Sequence, residues 1–128
     1  MHYAVTIDVP NLERGLKFYR DAMGFAEVSR PVETYVVLQC GGAKIGLIEK
    51  SPGTSPAEGA DDVRRYERHW TPVHIDFHVE DFEAVLARAL EAGARCERRF
   101  AGGPHPPVAF CSDPFGNGFC IVGTMVKG

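Results

Sequence analysis

The sequence predicts an α+β fold: two βαβββ modules forming a cupped mixed sheet with the helices on the outside. Three observations lead there. A strand-like alternation followed by a helical stripe occurs near the N-terminus and again from Thr71. Each helical stripe stops at a glycine, Gly24 or Gly93, and three further strand-like runs follow. The two halves also keep step: Val9 and Val79, Asn11 and Asp81, and Glu13 and Glu83 are each 70 residues apart, and the two glycines 69. An internal duplication accounts for all three.

The first module opens with residues 2–9. Tyr3, Val5, Ile7 and Val9 alternate with His2, Ala4, Thr6 and Asp8, as in a strand with one face on a core. Pro10-Asn11 breaks the run, and Asn11 suits an N-cap. Leu12, Leu16, Tyr19 and Met23 then recur at helical spacing, which predicts one amphipathic helix over 12–23 closed by Gly24. Strands are expected over Phe25–Arg30, Glu33–Cys40 and Ala43–Glu49, with Gly41-Gly42 as a hairpin turn.

Module one is therefore placed at 1–50, a connector at 51–70 and module two at 71–128, together one domain over 1–128. The connector begins with loop composition at Ser51–Pro56. Asp61–His69 is charged and reads as a short helix or a mobile link; Arg64, Arg65 and Arg68 beside Tyr66 and Trp70 suit contact with an anion, or a merely solvated surface. In module two, Val73, Ile75, Phe77 and Val79 are expected to bury one strand face. Asp81 caps a helix carrying Phe82, Val85, Leu86, Ala89 and Leu90. Strands follow at Arg95–Phe100, Val108–Ser112 and Phe119–Thr124. His105 sits in a stiff Pro-rich loop and reads as solvated.

With 128 residues the chain suits one compact domain. Its formal charge of −3 argues against a nucleic-acid partner, and no long apolar run or basic leader suggests a membrane or export, so a cytoplasmic location is expected. Cys40, Cys96, Cys111 and Cys120 form no C-x-x-C pair and are expected to be reduced thiols.

The polar faces of the two leading strands are the candidate site. His74, Asp76 and His78 crowd one short strand, and His2, Thr6 and Asp8 lie on its counterpart. If the sheets curl, this stripe lines a ligand pocket.

Two motifs carry a family likeness. Val9-Pro10-Asn11-Leu12-Glu13-Arg14, with Phe18-Tyr19-Arg20 and Met23-Gly24-Phe25, resembles the first-helix signature of the vicinal oxygen chelate superfamily. That group includes glyoxalase I, bleomycin-resistance proteins and extradiol dioxygenases. Asp113-Pro114-Phe115-Gly116-Asn117 resembles its turn before the last strand. The resemblance implies a homodimer and, in metal-dependent members, four ligands on the cup. Carried over position by position, it puts His74 at a ligand site seven residues before Asp81, but Ala4 at its equivalent before Asn11. The two remaining positions hold Gly46 and Cys120. Glu49 is three residues from Gly46 and so belongs on the opposite strand face.

Three readings follow. In the first, the chain binds a small molecule without the usual metal site or any cofactor. Its binding residues are His2, Thr6, Tyr35, Trp70, His74, Asp76, His78, Phe110 and Cys120. In the second, it is a lyase, isomerase or dioxygenase with a rebuilt site. There His2, His74 and Asp76 hold a divalent metal, or His74 with Asp76 does acid–base work and Cys120 is a nucleophile. In the third, it is a non-catalytic interaction subunit.

Overall fold

The computed structural model describes residues 1–125. Two compact units are present, Met1–Tyr66 and a second beginning at Glu67. Each is a βαβββ module with one four-stranded mixed sheet, as the duplication predicts.

In the first unit β1 is Val5–Val9, β2 Ala26–Val32, β3 Tyr35–Cys40 and β4 Ala43–Glu49, in spatial order β1-β4-β3-β2. The β1–β4 pair is parallel and the others antiparallel. Gly41 takes φ +55° in the β3–β4 hairpin, a turn conformation that favours glycine. Helix α1 (Leu12–Leu16) packs on β1 and β4. The approach is close: a Cβ on Gly15 would meet Val9 at 3.2 Å and Leu47 at 3.3 Å. Asn11 caps α1 by accepting from the Arg14 N–H at 3.0 Å. The Glu49 carboxylate accepts from the Leu12 N–H at 2.9 Å, on the helix side of the sheet as expected.

The single helix expected over 12–23 is not what forms. After Leu16 the chain widens into a π-helical segment, Lys17–Ala22, closed by the Met23 N–H donating to the Phe18 carbonyl at 2.9 Å. The wider turn keeps Phe18, Tyr19, Ala22 and Met23 all buried, with Phe18 and Tyr19 edge to face at 4.9 Å. Spacing alone does not distinguish the two helix types, because the apolar residues stay on one face in both.

In the second unit β5 is Ile75–His78, α2 Phe82–Glu91, β6 Arg95–Phe100, β7 Val108–Ser112 and β8 Gly118–Val122, in order β5-β8-β7-β6. Asp81 caps α2 by accepting from the Ala84 N–H at 3.1 Å. Phe82, Val85, Leu86 and Ala89 face a core with Ala109, Cys111, Phe119 and Ile121.

The leading strands are shorter than expected. β1 begins at Val5, not His2, and β5 at Ile75, not Thr71. The reason in the second unit is the partner: β8 starts only at Gly118, and the parallel ladder begins at Ile75↔Phe119. Residues ahead of His74 therefore have no strand to pair with. The expected burial of that face is also incomplete. Val73 is 70% exposed, and Ile75, Phe77 and Val79 are half-buried, because β5 is an edge strand and α2 packs against β8.

No helix forms over Asp61–His69. Residues 51–66 fold onto the first unit, where Arg64 Nε meets Asp8 Oδ2 at 2.8 Å and the Tyr66 hydroxyl donates to the Lys50 carbonyl at 2.6 Å. The Glu67 backbone crosses the Asp113–Asn117 turn in the second unit. A Cβ on Gly116, whose φ is +89°, would lie 2.5 Å from the Glu67 carbonyl. The turn itself is held by buried Asp113, which accepts from the Phe115 and Asn117 backbone N–H groups at 2.8 and 2.9 Å.

Candidate functional site

In each sheet, side chains alternate between the helix-covered face and the open one. On the open face of the second unit, strand register sets up a cross-strand row: Asp76 opposite Cys120, Cys120 opposite Phe110, and Phe110 opposite Arg98. The next row holds His78, Val122, Val108 and Phe100. His74 lies two residues before Asp76, just outside β5, and its Nε2 is 3.2 Å from Asp76 Oδ1.

His74, Asp76 and Cys120 form the one group of three such donors among the described residues, with ligand atoms within 4.8 Å of one another. His74 and Asp76 are about half exposed, whereas Cys120 is buried. Burial, then the Asp76 charge and a hydrogen bond to Asp76, push the Cys120 thiol up to about 11. A thiol so placed stays protonated at neutral pH and is a poor nucleophile.

Arg68 borders this group. Its guanidinium holds Glu97 through two hydrogen bonds, of 2.8 and 3.1 Å, and donates to the His69 carbonyl at 2.9 Å. It also lies over Gly118, two residues before Cys120 on the same face, where a Cβ would meet it at 2.9 Å. The ion pair lowers the Glu97 carboxyl and raises Arg68, chiefly through the hydrogen bonds.

The open face of the first unit is built differently. Thr6 is opposite Gly46, and the Tyr35 ring closes over that glycine. A Cβ there would sit 2.9 Å from the Tyr35 ring and hydroxyl and 3.0 Å from Thr6 Oγ1. Asp8 is taken by Arg64. Ala4 and His2 precede β1 and are exposed.

The expected residues thus fall into separate sets. His74, Asp76, Cys120 and Phe110 come together in the second unit, with His78 one row away; Thr6 and Tyr35 come together in the first. Trp70 is 81% exposed and lies outside any strand. Sequence reasoning missed Arg98 and Phe100, although β6 was correctly placed, because its one-residue register shift after Cys96 hides which side chains share the open face. It also missed the pairing of Arg64 with Asp8, whose partners are distant in sequence.

The family's metal set does not fit the first unit. Ala4 and Gly46 offer no donor, and the space an acidic side chain would need at position 46 is filled by Tyr35 and Thr6.

The model of a glyoxalase-like domain matches residues 4–122. No curated protein matches the chain in sequence. Among solved structures, a hypothetical protein, SA1046, from S. aureus is similar, with 21% identity, a TM-score of 0.70 and 97% of each chain covered. Fosfomycin resistance protein FosX from Mesorhizobium loti shares 15% identity over 98% of this chain and 93% of its own, with a TM-score of 0.70. A lactoylglutathione lyase from Agrobacterium tumefaciens shares 16% over 96% and 92%, with a TM-score of 0.64. At these identities the solved structures speak for the fold. By its family match and its paired βαβββ modules, the chain belongs to the glyoxalase-like family of the vicinal oxygen chelate superfamily.

Proposed function

We propose that this protein binds a small organic molecule on the open sheet face and does so without the family's four-ligand metal site. The observation that carries the reading is at Gly46: no donor stands there, and Tyr35 and Thr6 fill the space beside it. A polar lining is nevertheless kept in the second unit, where His74 and Asp76 offer hydrogen bonds to a ligand beside the apolar Phe110. Metal content after purification tests this, together with thermal shifts against manganese, iron(II) and a small-molecule library. The expected result is no stoichiometric manganese or iron and stabilisation by members of the library. Stoichiometric manganese or iron that is lost in His74→Ala would overturn it.

A second reading is favoured by one observation, the convergence of His74, Asp76 and Cys120 within 4.8 Å. A mixed nitrogen, oxygen and sulfur set suits zinc better than magnesium or manganese. An enzyme built on that set would lose zinc and activity together in Cys120→Ser and in Asp76→Asn.

A further inference from the structure

We propose that the ligand of this face is a hydroxyaryl carboxylate, its ring on Phe110 and Phe100, its carboxylate on Arg98 and its hydroxyl at Asp76. This rests on the small-molecule reading above and names the chemical class.

Arg98 is the starting point. Most arginines near it are engaged by acids: Arg99, on the helix side of the same strand, holds Glu83, and Arg68 holds Glu97. Arg98 has no carboxylate partner among the described residues. Its guanidinium instead lies over the Phe100 ring, 4.5 Å from the ring centre. A guanidinium on an aromatic face keeps its in-plane N–H donors, which match the two oxygens of a carboxylate.

The aromatic pair supplies the second part. Phe100 and Phe110 meet edge to face at 5.8 Å, yet stay 43% and 41% exposed on the open side of the sheet. A second aromatic pair of this unit, Phe77 with Phe119, reaches into the core, where Phe119 is buried. A planar apolar ligand would cover the exposed pair and gain the usual benefit of apolar burial.

Register supplies polarity. Arg98 and Asp76 end the same row, with Phe110 and Cys120 between them. Three strand spacings separate their backbones, roughly 14 Å, which leaves room for one ring with substituents at both ends. A carboxylate is attracted at the Arg98 end and repelled at the Asp76 end. A hydroxyl donor suits Asp76, with His74 beside it. An aliphatic diacid would set its second carboxylate against Asp76 and leave the rings unused. An aromatic cation would be repelled by Arg98.

The test uses the full chain and three probes: 4-hydroxycinnamate, its methyl ester and hexanedioate. Affinity is read by titration calorimetry and the site by amide shifts in β6, β7 and β8. The acid is expected to bind at least ~10-fold more tightly than the ester, as a charge-assisted hydrogen bond implies. Arg98→Met should erase that difference, Arg98→Lys should restore part of it, and Phe110→Ala should weaken acid and ester alike. Equal binding of acid and ester, an acid preference that survives Arg98→Met, or preference for hexanedioate would overturn the assignment while leaving small-molecule binding intact. Failure of all three probes and of a general fragment library to shift this face would overturn both. Melting curves for each variant separate lost binding from lost folding.

Discussion

Asp76 and Cys120 lie directly opposite each other in the parallel strands β5 and β8, with the Cys120 sulfur and an Asp76 carboxylate oxygen within 4.8 Å of each other. Two residues far apart in sequence thereby form one polar unit. The thiol is kept neutral by its own burial first and by the carboxylate second.

Cys120 should therefore react slowly with alkylating reagents near neutral pH, roughly 10- to 100-fold below an exposed thiol. Asp76→Asn should shift the pH profile of alkylation to lower pH, because it removes the neighbouring negative charge. The measurement is the iodoacetamide rate against pH in a chain with Cys40 and Cys96 changed to Ser; an unmoved profile in Asp76→Asn would show that the carboxylate does not reach the thiol.

The same placement makes stability pH-dependent at the alkaline end. Burial raises Cys120 to about 11 and Cys111 to about 12, whereas the unfolded thiols ionise near 9. Above about 9 the unfolded chain loses protons that the folded chain keeps, so stability falls as pH rises through that range. Urea midpoints between pH 8 and 11 should decline, and less steeply in Cys120→Ser.

Gly46 and Tyr35 should be energetically coupled. Gly46→Ala places a methyl group 2.9 Å from the Tyr35 ring and is expected to cost about 1–3 kcal/mol. Tyr35→Ala opens that space, so the double variant should be more stable than the sum of the single effects allows. A double-mutant cycle on urea-unfolding free energies reads the coupling directly; additive effects would mean the ring does not occupy the site.

Gly116 permits two things at once, a left-handed backbone and the passage of the Glu67 backbone. Gly116→Ala should cost about 1–3 kcal/mol from the backbone alone, and more from the clash. Gly118→Ala should cost less, since the displaced group there is the side chain of Arg68. Equilibrium unfolding of the two variants checks the order.

The Arg68–Glu97 pair should loosen in acid. Glu97 is lowered in the folded chain, mainly by its hydrogen bonds to Arg68, so its stabilising effect is present above its unfolded value near 4.5 and is lost as pH falls through the folded value. Hydrogen exchange at residues 67–70 should speed up over that acid range, and Glu97→Gln should show the faster exchange already at neutral pH.

Much of the architecture is legible in the residues themselves. The caps Asn11 and Asp81, the glycines Gly24 and Gly93 with φ of +87° and +107°, and the Gly41-Gly42 hairpin are local devices. Their chemistry acts between neighbours in the chain, so reading along the chain finds them. The alternation of His74, Asp76 and His78 likewise marks which face of β5 is polar. Local reading misses the π-helical turn after Leu16, because Phe18 and Tyr19 stay on the apolar face in either helix type.

By itself, then, the sequence determined the two modules, their family likeness and the absence of donors at Ala4 and Gly46. Only the tertiary structure decided what stands beside what. It set Tyr35 over Gly46, Arg68 over Gly118, Arg64 on Asp8, and Arg98 in the row that begins at Asp76. Those relationships depend on strand register and on the path of the connector. Both are set by the packing of whole elements, where a one-residue slip turns every side chain to the other face.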